Sequence, residues 1–381
     1  MKIVIAPDSY KESLSALQVA TEIEAGFREI FPQAHYVKLP VADGGEGTVE
    51  AMVAATQGKI VKLEVTGPLG KKVDAFYGLS GDEQTAFIEM AAASGLELVP
   101  AAQRDPLITT SYGTGELIHN ALDKGVKHFI IGIGGSATND GGAGMMQALG
   151  AQLLDAQDQQ IGFGGGALPD LARIDNSQLD ARIKQCRFEV ACDVTNPLTG
   201  KEGASAIFGP QKGAAPAQVT QLDAALQHYA AIIQRDLDID VLHVPGGGAA
   251  GGMGAALHAF CQAELRRGIE IVTEALGLDA LVKDATLVIT GEGRIDSQTI
   301  HGKVPIGVAK VAKRYNKPVI GIAGSLTADV GVVHQHGIDA VFSIIYSICT
   351  LEEALEKAAE NLRLSSRNVA ALLKMGQQLK C

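Results

Sequence analysis

The chain has 381 residues, a formal net charge of −11, 46% apolar and 20% charged residues. Its apolar share can fill a core and argues against a disordered or fibrous chain, and its length suggests two domains. The acidic balance argues against a groove that follows a nucleic-acid backbone, which needs clustered Lys and Arg, whereas a small anion needs only a local cluster.

Taken in chain order, Lys2 to Pro7 reads as a buried strand. Asp8 comes too early for the apolar core of a secretory signal, and no stretch approaches the roughly 20 apolar residues of a membrane span. A cytoplasmic protein without membrane contact is therefore expected. After the loop Asp8 to Ser13, Ser15 and Gln18 have capping-box spacing. Leu14, Leu17, Ile23, Phe27 and Ile30 then recur at helical spacing until Pro32. His35 to Pro40 is a second strand, completing a unit of parallel βαβ length. It empties into Ala42-Asp43-Gly44-Gly45-Glu46-Gly47-Thr48. In open α/β sheets ligands lie past the carboxyl ends of the strands, so the loops carrying Asp8 and Lys11 and those carrying Asp43 and Glu46 are candidate ligand loops.

Between Lys59 and Glu89 alternation around Gly67-Pro68-Leu69-Gly70 signals a hairpin. This change of period marks an inserted α+β unit running to about residue 284. Within it, Thr109 to Gly115 is a small-residue loop that either carries substrate hydroxyl contacts or caps the helix after it.

The stretch Ile130-Ile-Gly-Ile-Gly-Gly-Ser-Ala-Thr-Asn-Asp-Gly-Gly-Ala-Gly-Met-Met146 reads as strand, glycine-rich loop and helix. Such a loop can aim several backbone N–H groups at one anion, because glycine lacks a Cβ and tolerates φ > 0. The helix N-terminus adds positive potential. Gly134, Gly135, Ser136, Ala137, Thr138, Asn139, Gly141 and Gly142 are thus candidate phosphate contacts. Asp140 among them suggests a bridging magnesium ion. The alternative is a tight turn needing glycine only for packing. The loop is not a Walker A motif, and Ala137 breaks a G-x-G-x-x-G fingerprint.

Phe188 to Cys192 is a strand that delivers Asp193 at its end. Two glycine-rich stretches follow, 203–213 and 245–254, the second a candidate binding loop or hinge. After residue 284 the βα rhythm returns, with strands at 287–290, 318–323 and 340–345, helices at 304–315 and 329–336, and a closing helix from Leu351 towards Leu379. The loop Gly291-Glu292-Gly293-Arg294-Ile295-Asp296-Ser297-Gln298-Thr299, with Gly302-Lys303, places cations and carboxylates at a strand end. Structural pairing of Arg294 with Asp296 is the competing explanation. Cys186, Cys192, Cys261, Cys349 and Cys381 are odd in number and form no C-x-x-C pair, so reduced thiols are expected.

The fold class expected is α/β: a doubly wound, flavodoxin-like parallel sheet domain formed by residues 1–58 and 285–381, with a large α+β domain, 59–284, inserted. The active site is expected in the cleft between them.

Several of these motifs, namely Ala6-Pro7-Asp8-Ser9-Tyr10-Lys11, Ala42 to Thr48, Gly132 to Gly144, Cys192-Asp-Val-Thr-Asn-Pro197 and Gly291 to Thr299 with Gly302-Lys303, resemble those of the first glycerate kinase family, the bacterial glycerate 2-kinase type. The resemblance implies ATP-dependent phosphorylation of D-glycerate to 2-phosphoglycerate, with Mg2+ on the nucleotide and two domains enclosing the site. Monomer or homodimer is open. It does not fix the individual roles, which follow from chemistry. Phosphoryl transfer needs positioning and charge neutralisation. The 134–142 loop is assigned the triphosphate, and Asp140 or Asp193 the magnesium. Lys11 and Lys303 are assigned to charge neutralisation, and Arg294 to the glycerate carboxylate. Asp8 and Glu46 join the substrate contacts. Asp296 is the preferred base, with Asp193 and Asp43 behind it. Two rival readings are an NAD-dependent 2-hydroxy acid oxidoreductase, for which the fingerprint is absent, and a two-lobed binding protein.

Overall fold

The structure is a computed structural model that describes residues 1–379. Cys381 of the predicted thiols lies outside the described residues. Cys186, Cys192, Cys261 and Cys349 are free. Among the described residues no helix is long and apolar enough to cross a membrane. The chain divides into two compact units, the first Met1–Asp43, Glu50–Gln57 and the chain from Ile269 onward, the second Gly44–Val49 and Gly58–Gly268.

The first unit is built on a five-stranded sheet in the order Ala340–Ser343, Val319–Ala323, Leu287–Thr290, Lys2–Ile5, His35–Lys38, every pair parallel. Numbered along the chain, that is the flavodoxin order 2-1-3-4-5. Leu287–Thr290 and Val319–Ala323 are buried throughout, as strands covered on both faces must be. The edge strand His35–Lys38 alternates less cleanly and ends exposed. The helix Ala16–Ile30 starts at the predicted capping box, Ser15 and Gln18 exchanging both bonds. Its Val19, Ile23 and Phe27 pack with Ile3, Ile5, Leu362 and Val369 in one core.

Three expectations change here. The closing helix is broken at Lys357 into Leu351–Glu356 and Ala358–Gln378. The segment expected as an α-helix at 329–336 is a 3-10 helix, Val330–His336, ended by Gly337 at φ 101°. Its valines and glycine are poor helix formers, and the turn has no side-chain cap. The stretch 269–284, expected in the insertion, groups with the first unit. Ile269 packs where only a glycine fits, since a Cβ on Gly307 would lie 2.0 Å from its Cγ1.

The second unit carries a six-stranded sheet in the order Glu264–Arg266, Arg187–Ala191, His128–Gly132, Thr85–Glu89, Lys72–Leu79, Lys59–Thr66. The predicted hairpin is the antiparallel pair Lys59–Thr66 and Lys72–Leu79. Within this sheet the pairs from Thr85–Glu89 onward are parallel, so the inserted unit carries a mixed sheet. Helices such as Tyr112–Asp123 provide the crossover that parallel pairing requires. Four parallel strands therefore deliver their carboxyl ends, at residues 89, 132, 191 and 266, to one edge of this sheet. Phe129 and Phe188 stack at 4.6 Å on neighbouring strands beneath it.

Candidate active site

In the first unit the loop after Lys2–Ile5 and the loop after Leu287–Thr290 are held side by side. Asp8 N donates to Gly291 O at 2.8 Å, Tyr10 Oη donates to Ile322 O at 2.8 Å, and a Cβ on Gly293 would lie 3.6 Å from Tyr10 Cα and 3.7 Å from Lys11 N. Parallel neighbours in the sheet bring these strand ends together, although their loops are far apart in sequence.

The result is a concentration of carboxylates. Burial first, then Asp43, pushes the Asp8 carboxyl up to about 7, with Glu292 adding to the effect and the Ser9 amide and Lys11 opposing it. Glu292 is buried and also raised, mainly by burial. It accepts from Thr299 Oγ1 at 2.6 Å and lies 3.4 Å from Lys303 Nζ. Lys11 and Arg294 are exposed.

Asp296, expected as the base, is bound on both carboxylate oxygens. One oxygen accepts from Gln298 N at 2.9 Å and the other from Arg294 Nε at 2.9 Å. It is buried and is the N-cap of the turn Ser297–His301.

In the second unit the glycine-rich loop leaves His128–Gly132 as predicted, and the helix Ala143–Ala148 follows. Gly44 packs against Ala191, and its carbonyl approaches Gly132 so closely that a Cβ there would lie 2.3 Å away. The ends of three of the unit's segments thus meet. Asp193 is exposed at its strand end, accepting from Gly268 N at 3.2 Å. Glu46 is exposed.

Much of the loop's own hydrogen-bonding capacity is spent internally. Ala137 N donates to Ser94 O at 2.9 Å and Gly141 N to Gly251 O at 2.9 Å. Gly142 N donates to Asp140 Oδ1 at 3.1 Å. Ala137, Thr138 and Asn139 are buried, and Asn139 Nδ2 is committed to Ser205 Oγ at 3.0 Å. Gly134 and Gly135 are exposed, and a Cβ on Gly134 would meet nothing within 4 Å. The open edge of the loop is therefore Gly134 and Gly135, with Ser136 buried beside them, and Gly141 and Gly142 serve the turn itself.

Asp140, expected as a magnesium ligand, lies among protein donors. It is fully buried, and besides Gly142 N it accepts from Ser111 N at 2.9 Å, Ser111 Oγ at 2.7 Å and Gly144 N at 3.3 Å. Burial pushes its carboxyl up, and these donors pull it back. With three of these donors on Oδ2 and one on Oδ1, it ties the loop to the Thr109–Ser111 segment. Among the described residues no group of three or more His, Cys, Asp or Glu is placed to hold a metal.

Sequence reasoning missed Lys212. It ends the 3-10 turn Pro210–Lys212 and is 1% exposed. Its Nζ donates to Ser136 Oγ at 2.7 Å and Thr138 O at 2.6 Å, so it sits directly behind the glycine-rich loop. Burial drives its ammonium down to about 7, against the field of Asp140. The signal was a single lysine among Gly, Pro, Gln and Ala at 209–215, but lysine is a surface residue by default.

Residues 3–374 match the family model described as the glycerate kinase family. The chain is 69% identical to the glycerate 2-kinase of Escherichia coli (strain K12) over 99% of both chains. It is 62% identical to the glycerate kinase of Haemophilus influenzae over 98% of this chain and 99% of the other. A solved structure described as a glycerate kinase 2 from Salmonella typhimurium LT2 matches with a TM-score of 0.94 at 74% identity, covering all of both chains. A family match over nearly the whole length, with the predicted motifs standing at strand ends, identifies this chain as a member of the glycerate kinase family.

Proposed function

We propose that this chain transfers the γ-phosphoryl group of ATP to D-glycerate, at the 2-hydroxyl, giving 2-phosphoglycerate and ADP. The observation that carries the reading is the 69% identity, over 99% of both chains, to a relative named glycerate 2-kinase. The two half-sites supply the chemistry the reaction needs. The second unit offers an anion loop with its open edge at Gly134 and Gly135, suited to the triphosphate. The first offers Lys11, Arg294 and Lys303 for the glycerate carboxylate and the transferring group, beside carboxylates that can accept a proton. The reading needs groups of both units to serve one reaction.

We place the base at Asp8 in preference to Asp296. Its carboxyl is pushed up to about 7 by burial and by Asp43 and Glu292, near the pH at which a general base works best. Mg2+ fits as an ion carried on the nucleotide. The described residues offer no dedicated cage, and Asp193 at its strand end is the protein carboxylate we assign to it, which suits an ion that keeps phosphate and water oxygens. When bound, it neutralises phosphate charge. The hydride-transfer reading finds no support, since Ala137 breaks the dinucleotide fingerprint and the relatives named above are kinases.

An assay coupling ADP release to NADH oxidation, with D-glycerate and MgATP, tests the reaction, and NMR of the product distinguishes the 2- from the 3-phosphate. No ADP release sinks the kinase reading, and the 3-phosphate sinks the regiochemistry alone.

A further inference from the structure

We propose that Lys212 is a positioning residue for the nucleotide: from behind the loop it holds Gly134 to Thr138 in shape and polarises the Ser136 hydroxyl, which donates to a phosphate oxygen. The proposal rests on the reading that this loop takes the triphosphate of ATP.

A buried ammonium is retained only where something compensates it, and a buried lysine with a carboxylate partner would be an ordinary ion pair. Here the direct partners are a hydroxyl and a carbonyl, both on the loop. The charged group acting on it is Asp140, whose oxygens are held by Ser111, Gly142 and Gly144. The charge is thus solvated by the loop and left without a neutralising contact, an arrangement that suits an anion arriving on the loop's other side.

The Ser136 bond gives direction. A hydroxyl that accepts from an ammonium has its own hydrogen turned away from that donor, and the charge makes it a stronger donor in turn. Ser136 is itself buried, directly beneath the exposed backbone of Gly134 and Gly135, so its hydroxyl lies between the lysine and the open edge of the loop. The Thr138 bond fixes the other end of the same segment. One side chain therefore sets both the loop's shape and the polarity of its hydroxyl. This differs from a lysine that reaches out to touch the phosphates, because Lys212 is covered by the loop it serves.

The test compares Lys212→Met, which removes charge and hydrogen bonds, with Lys212→Gln, which keeps donors without charge, and with Ser136→Ala. Circular dichroism and thermal melting establish that each is folded, and MgATP affinity is measured by calorimetry alongside steady-state kinetics. The expected result is a rise of about tenfold or more in the KM for ATP in Lys212→Met, with the KM for glycerate within about twofold. Lys212→Gln should fall between it and the parent. Ser136→Ala should act in the same direction, and the double variant should be no worse than Lys212→Met alone, since the two act in series. Should the lysine variants fail to fold, Ser136→Ala carries the test. Unchanged ATP affinity in folded variants overturns the proposal, as does an effect confined to glycerate. A parent chain that binds no MgATP overturns the nucleotide reading and this proposal together, whereas a parent that binds with variants that match it overturns the proposal alone.

Discussion

Ser111 grips Asp140 twice, with its amide at 2.9 Å and its hydroxyl at 2.7 Å on the same carboxylate oxygen. The hydroxyl also accepts from Met145 N at 2.9 Å, so the pair ties the loop, the helix after it and the Thr109–Ser111 segment into one knot. Hydrogen bonds to a buried charge are worth more than neutral ones, and an asparagine would set an NH2 group against donors. Asp140→Asn should therefore lose about 2–4 kcal/mol of stability. The urea midpoint at constant m-value reports it. An unchanged midpoint with a weakened Mg2+ requirement would return Asp140 to the metal.

Asp8 should show the opposite balance. Its carboxyl is raised by burial, Asp43 and Glu292, so the folded state holds a proton that the unfolded chain releases near pH 4. The stability this gives is complete below about pH 4 and is lost as pH rises through about 7. Asparagine cannot ionise, so Asp8→Asn should gain melting temperature over the parent as pH is raised from about 5 to 8 while kcat falls about a hundredfold or more. Full turnover in the variant would remove Asp8 as base. A melting difference that does not vary with pH would remove the carboxylate cluster as its cause.

For Asp296 the cap geometry predicts a separation of two substitutions. Asparagine keeps an acceptor for Gln298 N and is a good N-cap, so Asp296→Asn should change kcat only a few-fold. Asp296→Ala loses the cap and the Arg294 contact and should cost about 1–2 kcal/mol. Thermal melts and turnover of both variants decide it, and a drop of about a hundredfold in Asp296→Asn would restore the sequence-based assignment.

Two glycines with similar backbone angles offer a controlled comparison. Gly251, at φ 67°, would place a Cβ 2.0 Å from Thr138 O, whereas Gly277, at φ 63°, would place it in open space. Both substitutions pay left-handed strain of about 1–2 kcal/mol, but Gly251→Ala must also move the loop that holds Thr138. It should lose clearly more stability than Gly277→Ala and raise the KM for ATP, while Gly277→Ala leaves both kinetic constants near the parent values. Equal losses in denaturant melts would mean that the loop gives way freely.

How much was readable in the chain depended on the range of the interaction. The Ser15–Gln18 cap, the hairpin at residues 67–70 and the flavodoxin rhythm are written in spacings of two to four residues and in short connections, and period and turn chemistry suffice for these. The loops after Lys2–Ile5 and Leu287–Thr290 were recognisable as strand-end loops for the same reason. The roles inside them were not. Whether Asp296 faces a substrate or caps a turn depends on one backbone N–H two residues away and one guanidinium, both of which local sequence allows either way.

By itself, then, the sequence determined the layered α/β architecture, the loops that carry chemistry and the family, because hydrophobic period, glycine placement and extended motifs are properties of the chain. Only the tertiary structure decided that Asp140 is held by Ser111, Gly142 and Gly144, that Asp8 shares its surroundings with Asp43 and Glu292, and that Lys212 lies buried 76 residues along the chain from the Ser136 hydroxyl it bonds. Burial and the saturation of polar groups are set by what the fold brings from a distance, and no local pattern records them.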